Sequence, residues 1–268
     1  MPTNIIITGA MGRMGKTLVS EVLSSSKLKL VGATEHSRHS ASGQDVGLLS
    51  GTQKLNVPLV SSLTEISSAG QTVVVDFTSP EASLENVKLA IQKKWAMVIG
   101  TTGFDQEGEV AIGNASKKIP IVKASNMSVG INVMLQLVTE AATLLGDSFD
   151  IEILEAHHKL KKDAPSGTAV SLARVLAEAT GKKYPNDFNF GRKGLIGERP
   201  QGEIGMQVIR GGDIVGDHTV IYCGIGERVE IKHIATSRAT FAKGALRAAG
   251  WLQKQKPGLY DMRDVLGM

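Results

Sequence analysis

The chain has 268 residues, of which 42% are hydrophobic, 21% are charged and 4% are aromatic, and its formal net charge is +4. This length fits two medium-sized domains, and the composition excludes a disordered or fibrous chain. Nucleic-acid binding is not expected, because the Lys and Arg residues are scattered and aromatic residues are few. Cys223 is the only cysteine, which excludes an internal disulfide.

The amino end passes from Met1-Pro2-Thr3-Asn4 directly into Ile5-Ile6-Ile7, without the basic and long apolar segments of a secretory signal. No run of about 18 apolar residues is evident, so we expect a cytoplasmic protein that does not contact membranes. The positive charge then suits a small anionic substrate or a phosphate-bearing cofactor.

The first half of the chain alternates between apolar strands and amphipathic helices. Strands are predicted at residues 5–8, 28–34 and 73–78, and two more end at Gly100 and Lys123. This alternation predicts a parallel, doubly wound sheet, which binds ligands beyond the carboxyl ends of its strands. The loops at that edge lie at Gly9, Glu35, Phe77, Gly100 and Ala124.

The pattern changes after Asn126. Apolar residues at helical spacing predict a long amphipathic helix over residues 134–145, and residues 151–154 alternate like a half-buried strand. Between Ile204 and Ile234, alternating runs broken by glycines predict a mostly antiparallel sheet, and residues 241–252 predict a final helix. A second, α+β domain is therefore expected to begin near Ser128.

A glycine-rich turn, Gly9-Ala10-Met11-Gly12-Arg13-Met14-Gly15, connects the first strand to the first helix. Glycines let backbone approach a pyrophosphate at a helix amino end, although Ala10 replaces the first glycine of the dinucleotide-binding pattern. Glu35 lies 20 residues after Gly15 (35 − 15), where a carboxylate accepts hydrogen bonds from the adenosine ribose. The two signals together predict bound NADH or NADPH.

The choice of cofactor stays open at this point, because Glu35 repels a 2′-phosphate while the neighbouring His36, Arg38 and His39 attract one. Two other functions also stay open. The stretch from Ala10 to Thr17 differs from the phosphate-binding loop of nucleotide hydrolases at one residue, because Ala10 stands where that pattern has glycine. A glycine turn could equally serve a non-catalytic NAD(P) sensor.

Residues 155–163 crowd two histidines and three lysines at the end of a strand, directly before the helix start Pro165-Ser166-Gly167-Thr168. Packing does not explain such charge density, and histidine and lysine can transfer protons. The helix start offers N–H groups and hydroxyls to a carboxylate. Ser166 is expected to cap the helix rather than act as a nucleophile. No metal site is expected, because adjacent strand residues diverge.

These segments, together with Asp76-Phe77-Thr78 and Gly100-Thr101-Thr102-Gly103-Phe104, closely resemble the bacterial 4-hydroxy-tetrahydrodipicolinate reductase family, formerly called dihydrodipicolinate reductases. The resemblance runs almost end to end. It implies NAD(P)H-dependent reduction of a cyclic, unsaturated dicarboxylate in diaminopimelate and lysine biosynthesis. It also implies a Rossmann-type dinucleotide-binding domain from residues 1–127 and 238–268, with a substrate-binding and oligomerisation domain from residues 128–237.

The resemblance also implies roles for single residues. His157 is the implied catalytic acid/base and Lys161 the proton donor, while His158, Gly167 and Thr168 bind the substrate carboxylates. Lys159 and Lys162 are expected to be solvated bystanders. The implied cofactor contacts are Gly9, Ala10, Met11, Gly12, Arg13, Met14, Glu35, His36, Gly100, Thr101, Thr102, Ala124, Ser125, Asn126 and Met127.

Some members of this family carry an arginine directly after the acidic residue to meet a 2′-phosphate, whereas this chain has His36. The resemblance further implies a homotetramer, with a small dicarboxylate as the other binding partner. The nearest alternative activity is that of another NAD(P)-dependent dehydrogenase, such as aspartate dehydrogenase, which would release ammonia.

Overall fold

The structure, a computed structural model, describes residues 2–268. Backbone packing divides the chain into two compact units. The first unit is the segment up to Val129 together with Arg238–Met268, and the second is Gly130–Ser237. Each unit has its own sheet and its own hydrophobic core.

Strands and helices alternate along most of the chain. The first unit contains β1 (Thr3–Thr8), α1 (Arg13–Leu23), β2 (Leu28–Thr34), α2 (Val46–Leu49), β3 (Leu59–Val60), β4 (Thr72–Asp76), α3 (Pro80–Lys93), β5 (Ala96–Ile99), α4 (Gln106–Ser116) and β6 (Pro120–Lys123). The next elements are α5 (Val129–Leu145), β7 (Asp150–His157), α6 (Gly167–Thr180), β8 (Phe188–Asn189), β9 (Ile204–Arg210), β10 (Gly216–Cys223) and β11 (Arg228–Ala235). The chain ends with α7 (Ala239–Leu252), β12 (Gly258–Tyr260) and α8 (Met262–Leu266), and short 3-10 turns occupy Leu63–Glu65 and Gly146–Ser148.

The sheet of the first unit has seven strands in the order β12-β6-β5-β4-β1-β2-β3, and its pairings are parallel. The chain moves outwards from β1 through β2 and β3, then returns to β4 and continues to the opposite edge. The order therefore reverses beside β1, at the switch point where doubly wound sheets bind dinucleotides. The predicted Rossmann-type fold is confirmed.

Two apolar layers lie on the two faces of this sheet. Ile5 and Ile7 belong to one layer and Ile6 to the other, and all three side chains are fully buried. Near-continuous apolar runs such as Ile5-Ile6-Ile7 and Val73-Val74-Val75 are needed because helices cover both faces of a parallel sheet. The carboxyl ends of these strands are thereby held at one edge, where the loops emerge.

The sheet of the second unit has five strands in the order β11-β10-β7-β9-β8. Strand β10 pairs antiparallel with β7 and β11, whereas β9 pairs parallel with β7 and β8. The predicted second sheet is confirmed and it is mixed, but it is less antiparallel than expected, because two of its four pairings are parallel. Its parallel half arises because the chain crosses from β7 to β9 through α6 instead of turning back in a hairpin.

Helix α5 and the turn after it, Val129–Ser148, are long and apolar enough to cross a membrane by length and composition alone. The sequence pattern had not indicated a stretch of that length. Met134 and Val138 of α5 lie in the core of the second unit, where the buried Tyr222 hydroxyl donates a hydrogen bond to the Val138 carbonyl. Burial raises the pKa of that hydroxyl. These contacts pack α5 as the core helix of its sheet.

A glycine allows α7 to pack closely within the first unit. A Cβ at Gly244 would lie 1.7 Å from the Met127 carbonyl oxygen, whereas one at Gly250 in the same helix meets no atom within 4 Å. We expect Gly244→Ala to lower the free energy of unfolding by about 1–3 kcal/mol, because backbone must move. Gly250→Ala should raise it by about 0.5–1 kcal/mol. Urea unfolding of the two variants measures this difference. Equal stabilities would contradict the close approach of Gly244 to the Met127 carbonyl.

Candidate active site

The turn between β1 and α1 is shaped by its glycines. Gly9 has a φ of +62°, which favours glycine, and the Gly12 N–H donates to the Gly9 carbonyl oxygen at 3.0 Å. A Cβ at Gly15 would lie 2.1 Å from that same oxygen, so α1 can approach the strand end only because this residue is glycine. The amino end of α1 therefore lies directly beyond β1, where it can hold a phosphate.

Glu35 follows β2, and its carboxylate lies beside the same turn. Oε2 accepts a hydrogen bond from the Met11 N–H and Oε1 from the His36 N–H, both at 3.1 Å. A cavity of about 340 Å³ adjoins the carboxylate, with Gly9 and His36 also in its lining. Each oxygen retains a lone pair for another donor, such as a ribose hydroxyl. The turn, the carboxylate and the cavity together fit a dinucleotide.

The other predicted cofactor residues also lie in the first unit. Arg13 and Met14 begin α1, residues 100–102 follow β5, and residues 124–127 follow β6, so these loops leave the carboxyl ends of strands. The Ala10 and Met127 side chains are buried in the core. The Ala10 and Met127 side chains are therefore not available to a ligand.

A buried carboxylate at the end of β4 holds one of these loops. Asp76 is fully buried, and its Oδ1 accepts hydrogen bonds from the hydroxyls of Thr78, Ser83 and Thr101 at 2.8, 2.7 and 2.9 Å. Oδ2 accepts one from the Asn86 amide at 2.8 Å. The Thr78 N–H donates to the Thr101 hydroxyl at 2.9 Å. Asp76 thereby ties the loop after β5 to the end of β4.

In the second unit, Glu155 is a fully buried carboxylate at the start of the segment 155–163 that contains the two histidines and three lysines. Its Oε2 contacts His157 Nδ1, both terminal nitrogens of Arg210 donate to it at 3.0 and 2.9 Å, and the Ser166 N–H donates at 3.0 Å. Burial alone would raise the pKa of this carboxyl, but the hydrogen bonds from His157, Arg210 and Ser166 outweigh burial and lower it to about 2. Glu155 is therefore ionised at neutral pH.

His218 lies beside His157, on the neighbouring strand β10. The two rings meet edge to face, with centroids 5.2 Å apart. His218 Nε2 lies 3.2 Å from the Ser166 hydroxyl, which caps α6 by accepting a hydrogen bond from the Ala169 N–H at 3.2 Å. Burial, and then the charge of His157, lowers the pKa of His218 to about 4. A neutral His218 thus supports the start of α6, and the predicted capping role of Ser166 is confirmed.

His158 and Lys161 follow β7 on the loop that leads to α6. The Nδ1 atom of His158 is buried and has no hydrogen-bond partner within residues 2–268. Lys161 Nζ donates to both carboxylate oxygens of Asp163 at 2.9 Å. The hydrogen bond from Lys161 outweighs burial and lowers the pKa of Asp163. His158 therefore offers a ring nitrogen to a ligand, while the Lys161 ammonium is held by an exposed carboxylate.

Helix α6 begins at Gly167, so Gly167 and Thr168 form its first turn. The positive end of the helix dipole lies at this turn and favours an anion there. Lys159 and Lys162 are exposed, as expected for solvated side chains. The second unit thus places a histidine, a lysine and a helix amino end on one short segment of chain.

Three potential metal-ligand atoms, from Glu155, His157 and His218, lie within 4.8 Å of one another. The Glu155 oxygens already accept hydrogen bonds from Arg210 and Ser166, so a metal ion would have to displace these donors. The Arg210 guanidinium also repels a second cation. The Glu155 carboxylate is therefore already occupied by donors of the protein.

Four side chains of these networks received no role from the sequence: Glu155, Arg210, His218 and Asp76. The available signal was an acidic or imidazole group inside or directly after an apolar strand, because a buried ionisable group needs partners. The partners themselves could not be found. Arg210, for example, lies 55 residues from Glu155 along the chain.

Family models match nearly the whole chain. The model described as "Dihydrodipicolinate reductase, N-terminus" matches residues 3–127, and "Dihydrodipicolinate reductase, C-terminus" matches residues 130–266. The chain belongs to the dihydrodipicolinate reductase family. The resemblance inferred from the motifs is thereby confirmed.

Individual reductases of this family align over almost their full length. The chain is 51% identical over 265 residues to the 4-hydroxy-tetrahydrodipicolinate reductase of Anaeromyxobacter sp. (strain Fw109-5), covering 99% of this chain and 98% of the relative. It is 49% identical over 263 residues to the reductase of Myxococcus xanthus (strain DK1622), covering 98% and 97%. A solved structure, dipicolinate-bound dihydrodipicolinate reductase from Paenisporosarcina sp. TG-14, matches with a TM-score of 0.76 and 26% identity, covering 97% of this chain and 98% of that one.

The buried His218 predicts a pH dependence of stability. Because folding lowers the pKa of His218 from 6.5 to about 4, the unfolded chain binds more protons than the folded chain between these values. The free energy of unfolding should fall as the pH drops through this window, by up to about 3 kcal/mol from this group. His218→Gln retains a polar group near Ser166 and should remove that part of the decline.

Chemical denaturation of both proteins at about pH 7 and about pH 4.5 measures the effect. The same loss of stability in the variant and in the unaltered chain would show that His218 does not contribute.

Proposed function

We propose that this chain reduces 4-hydroxy-tetrahydrodipicolinate to tetrahydrodipicolinate with NADH or NADPH, in diaminopimelate and lysine biosynthesis. The observation that carries this proposal is its full-length membership of the reductase family. The relatives that are about half identical to it are named for this substrate, and the solved relative is described as bound to dipicolinate, a cyclic dicarboxylate. The charged groups of each unit support the same reaction.

The reaction adds one hydride and one proton to the substrate and releases one water. NADH or NADPH supplies the hydride when it is bound. The chain has to supply the proton and to stabilise the negative charge that hydride addition generates. In this proposal His157 is the acid/base, because its ring is buried against Glu155, and Lys161 is a second proton donor.

The substrate carries two carboxylates, and both need N–H or cationic partners. His158 offers its unpaired Nδ1, and the first turn of α6 at Gly167 and Thr168 offers the positive end of a helix dipole. A carboxylate is a better ligand than water for both groups, because it is charged and accepts several hydrogen bonds. These groups support a dicarboxylate as the substrate.

The first unit supports a dinucleotide cofactor with two separate anchors. The glycine turn receives the pyrophosphate, and the Glu35 carboxylate receives the ribose hydroxyls. We propose that two further loops contact the nicotinamide half of the cofactor. One is the backbone of residues 124–127, including Ser125 and Asn126, and the other is Gly100, Thr101 and Thr102. His36 is exposed beside Glu35 and can meet a 2′-phosphate, which supports the use of NADPH as well as NADH.

We also propose that the chain forms a homotetramer in the cytoplasm. The register of the second sheet places Ile209, Ala156, Asp217 and Ile234 in one row across four strands, on one face. Ile209 and Ile234 at the ends of this row are 47% and 53% exposed, so contact with another copy would remove apolar surface from water. Sedimentation velocity distinguishes a tetramer from a monomer.

The proposed activity is tested by supplying the purified chain with the condensation product of pyruvate and aspartate semialdehyde. NADH or NADPH should be oxidised only when this product is present, which a fall in cofactor absorbance measures. Absence of that fall would overturn the proposal. Cofactor binding without turnover would instead support a sensor, magnesium-dependent ATP hydrolysis a nucleotide hydrolase, and release of ammonia an amino-acid dehydrogenase.

Removal of either proposed proton donor should slow turnover. We expect His157→Ala and Lys161→Ala each to lower kcat by about 10²–10⁴ while the affinity for NADH stays near normal, because general acid–base groups contribute factors of this size. Lys159→Ala and Lys162→Ala are matched controls on the same segment and should leave kcat unchanged. Unchanged turnover in His157→Ala or Lys161→Ala would remove that residue from the mechanism.

A further inference from the structure

The Glu155 carboxylate touches two parts of the site at once. Its Oε2 contacts Nδ1 of the His157 ring, and its Oε1 accepts a hydrogen bond from the Ser166 N–H at 3.0 Å. Ser166 is the capping residue directly before α6, whose first turn is the proposed carboxylate site. Arg210 bridges both oxygens from the neighbouring strand and holds the carboxylate in one orientation.

An ionised carboxylate can only accept hydrogen bonds. The nitrogen of His157 that faces Glu155 must therefore carry a proton, whether the ring is neutral or protonated. The hydrogen bond of one ring nitrogen fixes the state of the other, so the ring gains and loses its second proton at Nε2.

The surroundings of Nε2 are consistent with proton exchange at that nitrogen. A Cβ built on Gly216, the first residue of β10, would lie 3.1 Å from His157 Nε2. That separation is closer than ordinary van der Waals contact, so a side chain there would crowd the nitrogen. Glycine at this position keeps the space beside Nε2 open.

We infer that Glu155 is a positioning residue for the reduction: it fixes the proton on Nδ1 of His157, leaves Nε2 as the atom that exchanges a proton with substrate, and joins that ring to the start of α6. Gly216 also contributes to this arrangement, because it keeps the space beside Nε2 clear. The inference rests on the proposed role of His157. It assigns the reacting atom of the ring and explains why a charged group is buried in this strand.

The state of the ring can be measured directly in the unaltered protein. Nitrogen-15 NMR of histidine-labelled protein near neutral pH, with the His157 signals assigned by their loss in His157→Ala, should show a proton on Nδ1. An unprotonated Nδ1 with a proton on Nε2 would overturn the inference. This readout needs no substrate, so it remains informative if the proposed reductase activity fails.

Glu155→Gln tests the consequence for catalysis. A neutral amide can donate as well as accept, so it no longer enforces one tautomer, and the NMR signals should report a loss of the single Nδ1-protonated form. We expect kcat to fall by about 10²–10⁴, at most the roughly 10⁴-fold loss caused when a triad aspartate becomes asparagine, with NADH affinity unchanged. A folded Glu155→Gln protein with unchanged kcat would contradict the proposal.

Gly216→Ala leaves the Glu155–Arg210 pair intact. It tests the role of Nε2 even if Glu155→Gln does not fold. We expect kcat to fall by about 10–10² because the ring or its reacting partner is displaced, while Nδ1 stays protonated. Gly211→Ala is the matched control, since a Cβ there meets no atom within 4 Å, and its kcat should not change. Equal turnover in the two alanine variants would refute the role of the open space beside Nε2.

Discussion

A carboxylate that is removed from water must have its charge and lone pairs met by the protein, and this constraint shapes the candidate site residues within each unit. Asp76 in the first unit and Glu155 in the second are each fully buried in or at the end of a strand. Each can lie there only because residues from several strands, helices and loops supply donors to it. These elements are consequently held together by the need to satisfy the carboxylate.

The two carboxylates receive their hydrogen bonds from different kinds of donor. Asp76 is met by neutral donors, three hydroxyls and an amide, which tie Thr101 to the end of β4. Glu155 is met by the charged Arg210 together with His157 and one backbone N–H. A charged partner keeps the carboxylate ionised, and removal of one member of a buried ion pair costs about 3–5 kcal/mol. Neutral donors suffice where a loop is to be held, whereas the ionised group also sets the protonation of a neighbouring ring.

The sequence predicted what depends on neighbours along the chain. The glycine turn, the acidic residue after β2 and the capping role of Ser166 are local patterns, and the structure places them as expected. The networks that orient the site depend on strand register instead. His218 reaches Ser166 across 52 residues, and Thr101 reaches Asp76 across 25. Periodicity does not determine which residues become opposite neighbours, so Glu155, Arg210 and His218 received no role before the fold was known.

The roles proposed for the two adjacent histidines follow from the different surroundings that strand register gives them. His157 is the last residue of β7, two positions after Glu155, and alternate strand residues point to the same face, so its Nδ1 meets the carboxylate. His158 lies one residue further on, past the end of the strand, and its Nδ1 is not satisfied by any residue that the structure describes. A proton donor needs one nitrogen held and the other free to exchange, which a carboxylate two residues away provides. A carboxylate-binding histidine needs a nitrogen that the protein has not already occupied, and only the second position meets that condition.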